Sequence, residues 1–147
     1  MINDRPTYLR VNLDALLNNY KKLRDLNPEK IGLAIVKADS YGLGSKVIAD
    51  YLYKNGVRHF AVATLEEALE LKDIVKESMV LVLGVTNPKN VKYAVKNNIS
   101  LTCPSKEWFE ETLKELEKVD GKLKFHIKLE TGMNRIGTSE EKELMDI

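Results

Sequence analysis

Apolar residues recur every three to four positions near the start of the chain, and this spacing predicts an opening helix with one buried face. The positions that share this face are Leu13, Leu16, Leu17, Tyr20 and Leu23. The pair Asn27 and Pro28 follows a few residues later and predicts the end of the helix.

Beyond residue 30, short apolar runs alternate with segments of helical periodicity. The apolar runs predict five strands, over residues 31–37, 59–63, 80–83, 100–103 and 123–129. The helical patterns between them predict four helices, over residues 45–54, 65–75, 87–96 and 105–118. Such alternation predicts an α/β fold in which right-handed crossovers join parallel strands. A doubly wound open sheet and a (β/α)8 barrel share the pattern, so periodicity leaves both open.

The last predicted strand alternates apolar and polar residues, which assigns the two sets to opposite faces. One face carries Leu123, Phe125, Ile127 and Leu129, and we expect it to pack under helices. The other face carries Lys122, Lys124, His126, Lys128 and Glu130. We therefore expect Lys128 to point inward near the carboxyl end of the strand.

Composition indicates a soluble globular domain. The chain has 147 residues, of which 44% are hydrophobic and 31% are charged, and its net charge is +1. Lysines and acidic residues are interspersed, which argues against a nucleic-acid partner, and no apolar run approaches the ~18 residues of a membrane span. The single cysteine, Cys103, allows no disulfide within the chain and suits a cytoplasmic location. We expect it to be a small buried side chain.

The most informative segment is the run VKADSYGLG over residues 36–44. A lysine that ends an apolar run is easier to keep neutral than a surface lysine, and a neutral amine condenses with aldehydes. Lys37 is therefore a candidate Schiff-base lysine. The hydroxyls of Ser40 and Tyr41 and the glycines that follow suit a phosphorylated cofactor.

This run resembles the pyridoxal-phosphate lysine motif V-K-A-D-A-Y-G-H-G of alanine racemases, from which it departs at Ser40 and Leu43. A second run, KLETGMNRIG over residues 128–137, resembles the motif K-x-D-T-G-M-x-R-x-G of the same family, with Glu130 in place of aspartate. The segment from Arg5 to Leu16 also looks like the start of the family, where a short strand leads into the first helix. The resemblance covers essentially the whole chain.

The resemblance implies a partial (β/α)8 barrel of TIM type, with about five of the eight βα units and parallel strands. Residues 1–147 would be the N-terminal part of the pyridoxal-phosphate barrel, without the second, mostly β domain that the family carries. We expect the chain to be a fragment. A half barrel leaves strand edges unpaired, so pairing with a second copy is expected.

The resemblance also implies roles for five side chains. Lys37 would hold pyridoxal 5'-phosphate and move the α-proton of the substrate, and Tyr41 would contact the cofactor phosphate. Arg135 would hydrogen-bond the phenolic oxygen of the cofactor and help to recognise the substrate carboxylate. Met133 would line the substrate pocket. Lys128 matches a lysine that is carbamylated in many members, so that it holds the arginine in place.

The function implied is the interconversion of L-alanine and D-alanine, which supplies D-alanine for peptidoglycan, by a homodimer. In this family the second catalytic base is a tyrosine from the second domain of the neighbouring subunit, so we expect the isolated chain to be inactive. Two alternatives stay open. One is a serine or broad-specificity racemase, and the other is a non-catalytic binding or assembly module.

Overall fold

Five parallel strands form one sheet in the computed structural model, which describes residues 7–147. The strands are β1 Ala34–Ile35, β2 His59–Val62, β3 Met79–Val82, β4 Ser100–Cys103 and β5 Lys124–Ile127. The helical segments of this part of the chain are α1 Leu13–Asp25, α2 Lys37–Gly42, α3 Ser45–Lys54, α4 Leu65–Lys72, α5 Val91–Lys96, α6 Lys106–Leu116 and α7 Glu141–Met145. The segment α2 is left-handed and is described with the site.

The order of the strands in the sheet decides between the two α/β architectures. Neighbours in the sheet follow the sequence from β1 to β5 without reversal, and every pair is parallel. A doubly wound sheet reverses its strand order at a switch point, whereas a TIM-type barrel adds each strand beside the previous one. The chain therefore folds as part of a (β/α)8 barrel, as predicted.

One face of the sheet and the inner faces of the helices form the apolar core. Alternate residues of the central strands lie on this face, and the fully buried Phe60 of β2 is the largest of them. On the last strand, Phe125 packs against Phe109 of α6 with ring centroids 5.6 Å apart, and Leu123 also packs against the core, as expected. The expectation was wrong for Ile127 and Leu129 on the same face, which are exposed. The polar face of β5 is exposed at Lys124 and His126.

Polar side chains cap three helices at their first turns. Asn12 accepts a hydrogen bond from the backbone amide of Ala15 at 2.9 Å before α1, and Ser105 accepts one from the amide of Trp108 at 3.3 Å before α6. Thr64 caps α4 in the same way. Such caps satisfy backbone N–H groups that lack a partner within the helix.

Some boundaries differ from those predicted. The first strand, predicted over residues 31–37, comprises only Ala34–Ile35. Beyond it the helical segment α2 begins at Lys37, and the backbone is left-handed from Ala38 onward. The helix predicted over 87–96 begins as a 3₁₀ turn at Pro88–Asn90. The prediction of a short strand before α1 was wrong for residues 7–12, which form no strand. Arg5 and Pro6, which belong to the same predicted segment, lie outside the described residues.

No helix between residues 7 and 147 has both the length and the apolar character needed to cross a membrane.

Candidate active site

The two sequence motifs meet in one cleft at the carboxyl ends of the first strands. Lys37 follows β1, and Arg135 comes from the loop after β5. The cleft has a volume of about 260 Å³. Its lining residues are Lys37, Ala63, Leu83, Gly84, Val85, Arg135 and Ile136. Barrel enzymes place their chemistry at this end of the strands, so the cleft is the candidate active site.

The segment that carries Lys37 into the cleft has an unusual backbone. Ala38, Asp39, Ser40 and Tyr41 all have φ between 49° and 58° and ψ between 36° and 50°. Left-handed backbone costs a residue with a side chain about 1–2 kcal/mol, and four in succession are rare. Strain of this kind persists where surrounding contacts enforce it, and it is concentrated at functional sites.

Two carboxylates hold this left-handed segment in place. The side chain of Asp39 accepts a hydrogen bond from the backbone amide of Ser45 at 2.7 Å, which ties the segment to the start of α3. The side chain of Glu67 on α4 accepts hydrogen bonds from the amides of Ala38 and Ala63, each at 2.7 Å. The segment is therefore anchored to the helix that follows it, α3, and to the next βα unit through α4.

Lys37 and Tyr41 lie close together at the mouth of the cleft. Lys37 is half-buried, and its ammonium lies 5.9 Å from the centre of the Tyr41 ring. The Tyr41 side chain is 67% exposed, so its hydroxyl is accessible to a ligand. Ser40 differs from expectation, because it is only 5% exposed and its hydroxyl is shielded from solvent. A contact between Ser40 and a ligand is therefore not supported.

The loop that carries Arg135 folds around the carboxylate of Glu130. This carboxylate accepts hydrogen bonds from the backbone amides of Gly132 at 2.5 Å and Arg135 at 3.3 Å. The base of the loop is closed by a bridge, in which the Glu130 amide donates to the carbonyl of Thr138 at 2.9 Å. The side chain of glutamate, one methylene longer than that of aspartate, thus reaches the amides of the loop.

The hydrogen bonds to Glu130 predict a pH dependence for this loop. Backbone amides, first that of Asn134 and then that of Gly132, lower the pKa of Glu130 below its usual 4.5. Because the pKa of Glu130 is lower in the folded chain than in the unfolded chain, ionised Glu130 stabilises the folded loop at any pH above its unfolded-state pKa. This stabilisation is lost as the pH falls through the folded-state pKa of Glu130. We expect the amide resonances of the loop to titrate below pH 4.5 in the wild type. The same NMR titration of Glu130→Gln should show no such transition, and an unchanged profile in this variant would contradict the assignment.

Two predicted site residues do not line the cleft. Met133 is 68% exposed on the Arg135 loop. Lys128 is half-buried, and its ammonium donates a hydrogen bond to the carbonyl of Leu129 at 3.1 Å. The structure thus brings Lys37 and Arg135 together in the cleft, with Tyr41 close to Lys37. Met133 and Lys128 are not among the residues that line the cleft.

Sequence reasoning missed several residues of the site. Gly84 lies on the wall of the cleft, where a Cβ atom would come within 2.5 Å of the Ala63 carbonyl oxygen. Glu67 was also missed, although Thr64 and Glu67 match the S/T-x-x-E pattern of a capping box. That pattern predicts the helix start, but it gives no sign that the carboxylate also reaches the segment after Lys37.

Among the described residues, neither Cys103 nor a group of metal-ligating side chains forms a second reactive site. Cys103 is buried, and burial raises the pKa of its thiol, which disfavours the thiolate needed of a nucleophile. Within the described part of the chain, no three His, Cys, Asp or Glu side chains form a group that could hold a metal ion.

Comparison with known proteins shows which family the chain resembles. Residues 11–147 match the family model described as alanine racemase, N-terminal domain. An alanine racemase of Staphylococcus epidermidis is 44% identical over 147 residues, which cover 97% of this chain and 38% of that protein.

Solved structures of racemases share the fold. An alanine racemase from Bartonella henselae with covalently bound pyridoxal phosphate has a TM-score of 0.79 and 31% identity, over 92% of this chain and 39% of that one. A histidine racemase from Leuconostoc mesenteroides subsp. sake has a TM-score of 0.82 and 29% identity, over 90% of this chain and 36% of that one. The chain therefore spans about two fifths of the length of the relatives it matches.

Proposed function

The chain belongs to the family of alanine racemase N-terminal domains, and from this premise we propose that it is the lysine-bearing part of an amino acid racemase. The reaction proposed is the interconversion of L-alanine and D-alanine, which supplies D-alanine for peptidoglycan. The observation that carries the proposal is the single cleft lined by both Lys37 and Arg135. These two residues stand at the key positions of the two motifs that resemble those of the family.

The residues around the cleft fit pyridoxal 5'-phosphate as cofactor. The amine of Lys37 suits the aldehyde, the guanidinium of Arg135 suits an anionic or phenolic oxygen, and the hydroxyl of Tyr41 suits a phosphate. When bound, this cofactor withdraws electrons from the α-carbon of an amino acid and so eases the loss of its proton. The cleft volume of about 260 Å³ lies just below the roughly 300–1,000 Å³ typical of ligand sites. We therefore propose that this chain supplies one side of the site.

In this proposal, each side chain at the cleft has a separate role in binding or proton transfer. Lys37 would hold the cofactor through its amine, and the same amine would accept or return the α-proton of the substrate. Arg135 orients the ligand through a planar set of donors, and Tyr41 contacts the phosphate. Met133 on the same loop contacts the substrate, and carbamylation of Lys128 adds a negative charge beside that loop. These roles are proposals from the family resemblance and the placement described above.

The whole enzyme extends beyond this chain in the proposal. Residues 1–147 form the N-terminal portion of the barrel, and the active protein is a homodimer that acts on a small amino acid. This agrees with relatives of which the chain spans only about two fifths. A cytoplasmic location stays a prediction of the sequence.

Two observations support alternatives to alanine racemisation by this chain. The similarity to a histidine racemase favours the alternative of other substrates, including serine or a broad range of amino acids. In the described residues β1 and β5 end the sheet, and Ile35 and Ile127 beside their free edges are exposed, which favours an assembly module.

We expect Lys37 to react selectively with pyridoxal phosphate, because the cleft places a cation, a phenol and an amine together. The purified chain is mixed with pyridoxal phosphate and reduced with borohydride, and labelled lysines are mapped by peptide mass spectrometry. Exposed Lys22 serves as the internal reference. Arg135→Ala should lower the labelling of Lys37 by about tenfold or more, which corresponds to losing one hydrogen bond to a charged group.

Arg10→Ala is the matched control, since Arg10 is exposed and is not among the residues that line the cleft. This variant should label as the wild type does. Labelling scattered evenly over the lysines of the wild type would contradict the proposed function of this chain and favour the assembly module.

A further inference from the structure

We propose that Glu67 is a positioning residue that holds the backbone of Lys37 against the neighbouring βα unit. The proposal rests on the proposed function, in which Lys37 is the lysine that holds the cofactor. Glu67 itself is not among the residues that line the cleft with Lys37. Its action on the site is therefore indirect, through the main chain.

The carboxylate of Glu67 joins two segments that are distant in sequence. One oxygen accepts the amide of Ala38 and the other accepts the amide of Ala63, both at 2.7 Å. Ala38 follows Lys37 directly, and Ala63 lines the same cleft as Lys37. A single side chain thus ties the start of the left-handed segment to the end of β2.

Fixing the Ala38 amide also fixes the main chain of Lys37. The peptide group is planar, so the N–H of Ala38 and the carbonyl and Cα of Lys37 move as one unit. The next four residues are left-handed, a conformation that isolated residues with side chains avoid. Without the anchor at Ala38, this segment would relax toward ordinary backbone angles, and the Lys37 amine would leave its place in the cleft.

The two contacts require a carboxylate. Both partners are N–H donors, and an ionised carboxylate offers an acceptor to each. A glutamine at position 67 would accept from one amide and turn its own NH2 group toward the other. Glutamate also fits the helix start, because its oxygen accepts the Thr64 amide at 3.4 Å in the capping box.

The test combines Glu67→Ala with the control Glu66→Ala. Both changes remove one carboxylate from the first turn of α4, but Glu66 is exposed, and the Ala38 amide donates to Glu67. Glu67→Gln is the second variant, since it keeps the size of the side chain if the alanine variant folds poorly. Two readouts are measured in each chain: hydrogen exchange of the Ala38 and Ala63 amides by NMR, and the borohydride labelling of Lys37 by pyridoxal phosphate.

In Glu67→Ala, we expect hydrogen exchange of both amides to accelerate by about tenfold or more. In Glu67→Gln, exchange of at least one of the two amides should accelerate. Labelling of Lys37 relative to Lys22 should fall in Glu67→Ala. It should fall in Glu67→Gln if exchange of the Ala38 amide accelerates there. Glu66→Ala should match the wild type in both readouts. Unchanged exchange at Ala38 and Ala63 in Glu67→Ala, or accelerated exchange at Ala38 with Lys37 labelled as before, would overturn the positioning role.

Failure of the proposed function would give a different result from failure of the positioning role. In that case the wild type itself shows no preference for Lys37, whereas the exchange data still decide whether Glu67 anchors the segment. A wild type that labels selectively together with Glu67 variants that label equally well would refute only the positioning role.

Discussion

Replacing Phe60 with alanine is expected to lower the free energy of unfolding by about 3–5 kcal/mol, the usual cost of removing a buried aromatic ring. Phe60 has no exposed surface and lies on β2, in register with Ala34 of β1 on one side and Val80 of β3 on the other. Loss of its ring would open a cavity between the sheet and the helices. Because domains are typically stable by only about 5–15 kcal/mol, this change should remove a large part of the free energy of unfolding.

Urea denaturation followed by circular dichroism measures this effect. Phe60→Leu is the matched control, because it keeps most of the apolar volume and should cost less than half as much as alanine. Tyr41→Ala, at an exposed aromatic residue of the cleft mouth, should leave the midpoint nearly unchanged. A Phe60→Ala midpoint equal to that of the wild type would contradict the placement of this ring in the core.

The sequence predicted the strands and helices well wherever the apolar pattern was unambiguous. Strands β2 to β5 and helix α3 lie where alternation placed them, with boundaries that differ by a few residues. The pattern could not choose between a doubly wound sheet and a barrel, because both bury one side of each strand under helices. The strand order of the sheet made that choice, and strand order depends on tertiary packing.

The first strand shows why local pattern was insufficient. Residues 31–37 are mostly apolar and predict a full strand, but only Ala34–Ile35 pair as one. Directly after Lys37 the chain enters left-handed backbone at Ala38, Asp39, Ser40 and Tyr41. Of these residue types, only aspartate is enriched in that conformation. The carboxylates of Asp39 and Glu67 accept hydrogen bonds that hold that conformation. The contact between Glu67 and Ala38 is distant in sequence, so it leaves no trace in local periodicity.

The residues of the two motifs could be predicted as site residues from the sequence, but most of the other residues that line the cleft could not. Lys37 and Arg135 were both identified from sequence, and the structure places them in one cleft. The apolar wall at Gly84 and Val85 was not foreseen, because a loop of small and aliphatic residues has no chemical signature. The hydroxyl of Ser40 was expected to serve a ligand, but only the fold revealed that it is shielded.

Replacing Gly137 with alanine is expected to open the loop that carries Arg135. Gly137 has φ +108°, a conformation that side chains rarely adopt, and an added Cβ would lie 2.6 Å from the carbonyl oxygen of Lys128. That carbonyl accepts the amide of Thr138 at the base of the loop. The backbone strain costs about 1–3 kcal/mol, and the overlap adds a cost of about the same size, so the bridge between the two arms should break.

Gly132→Ala separates the two costs within the same loop. Gly132 has a similar φ of +119°, but a Cβ there would meet nothing within 4 Å, so this variant carries the strain without the overlap. Hydrogen exchange of the Glu130 and Thr138 amides, which bond across the base of the loop, should accelerate more in Gly137→Ala than in Gly132→Ala. Labelling of Lys37 by pyridoxal phosphate should fall in the same order, because Arg135 leaves the cleft as the loop opens. Equal exchange in the two variants would mean that backbone strain alone governs the loop and that the close approach to Lys128 is unimportant.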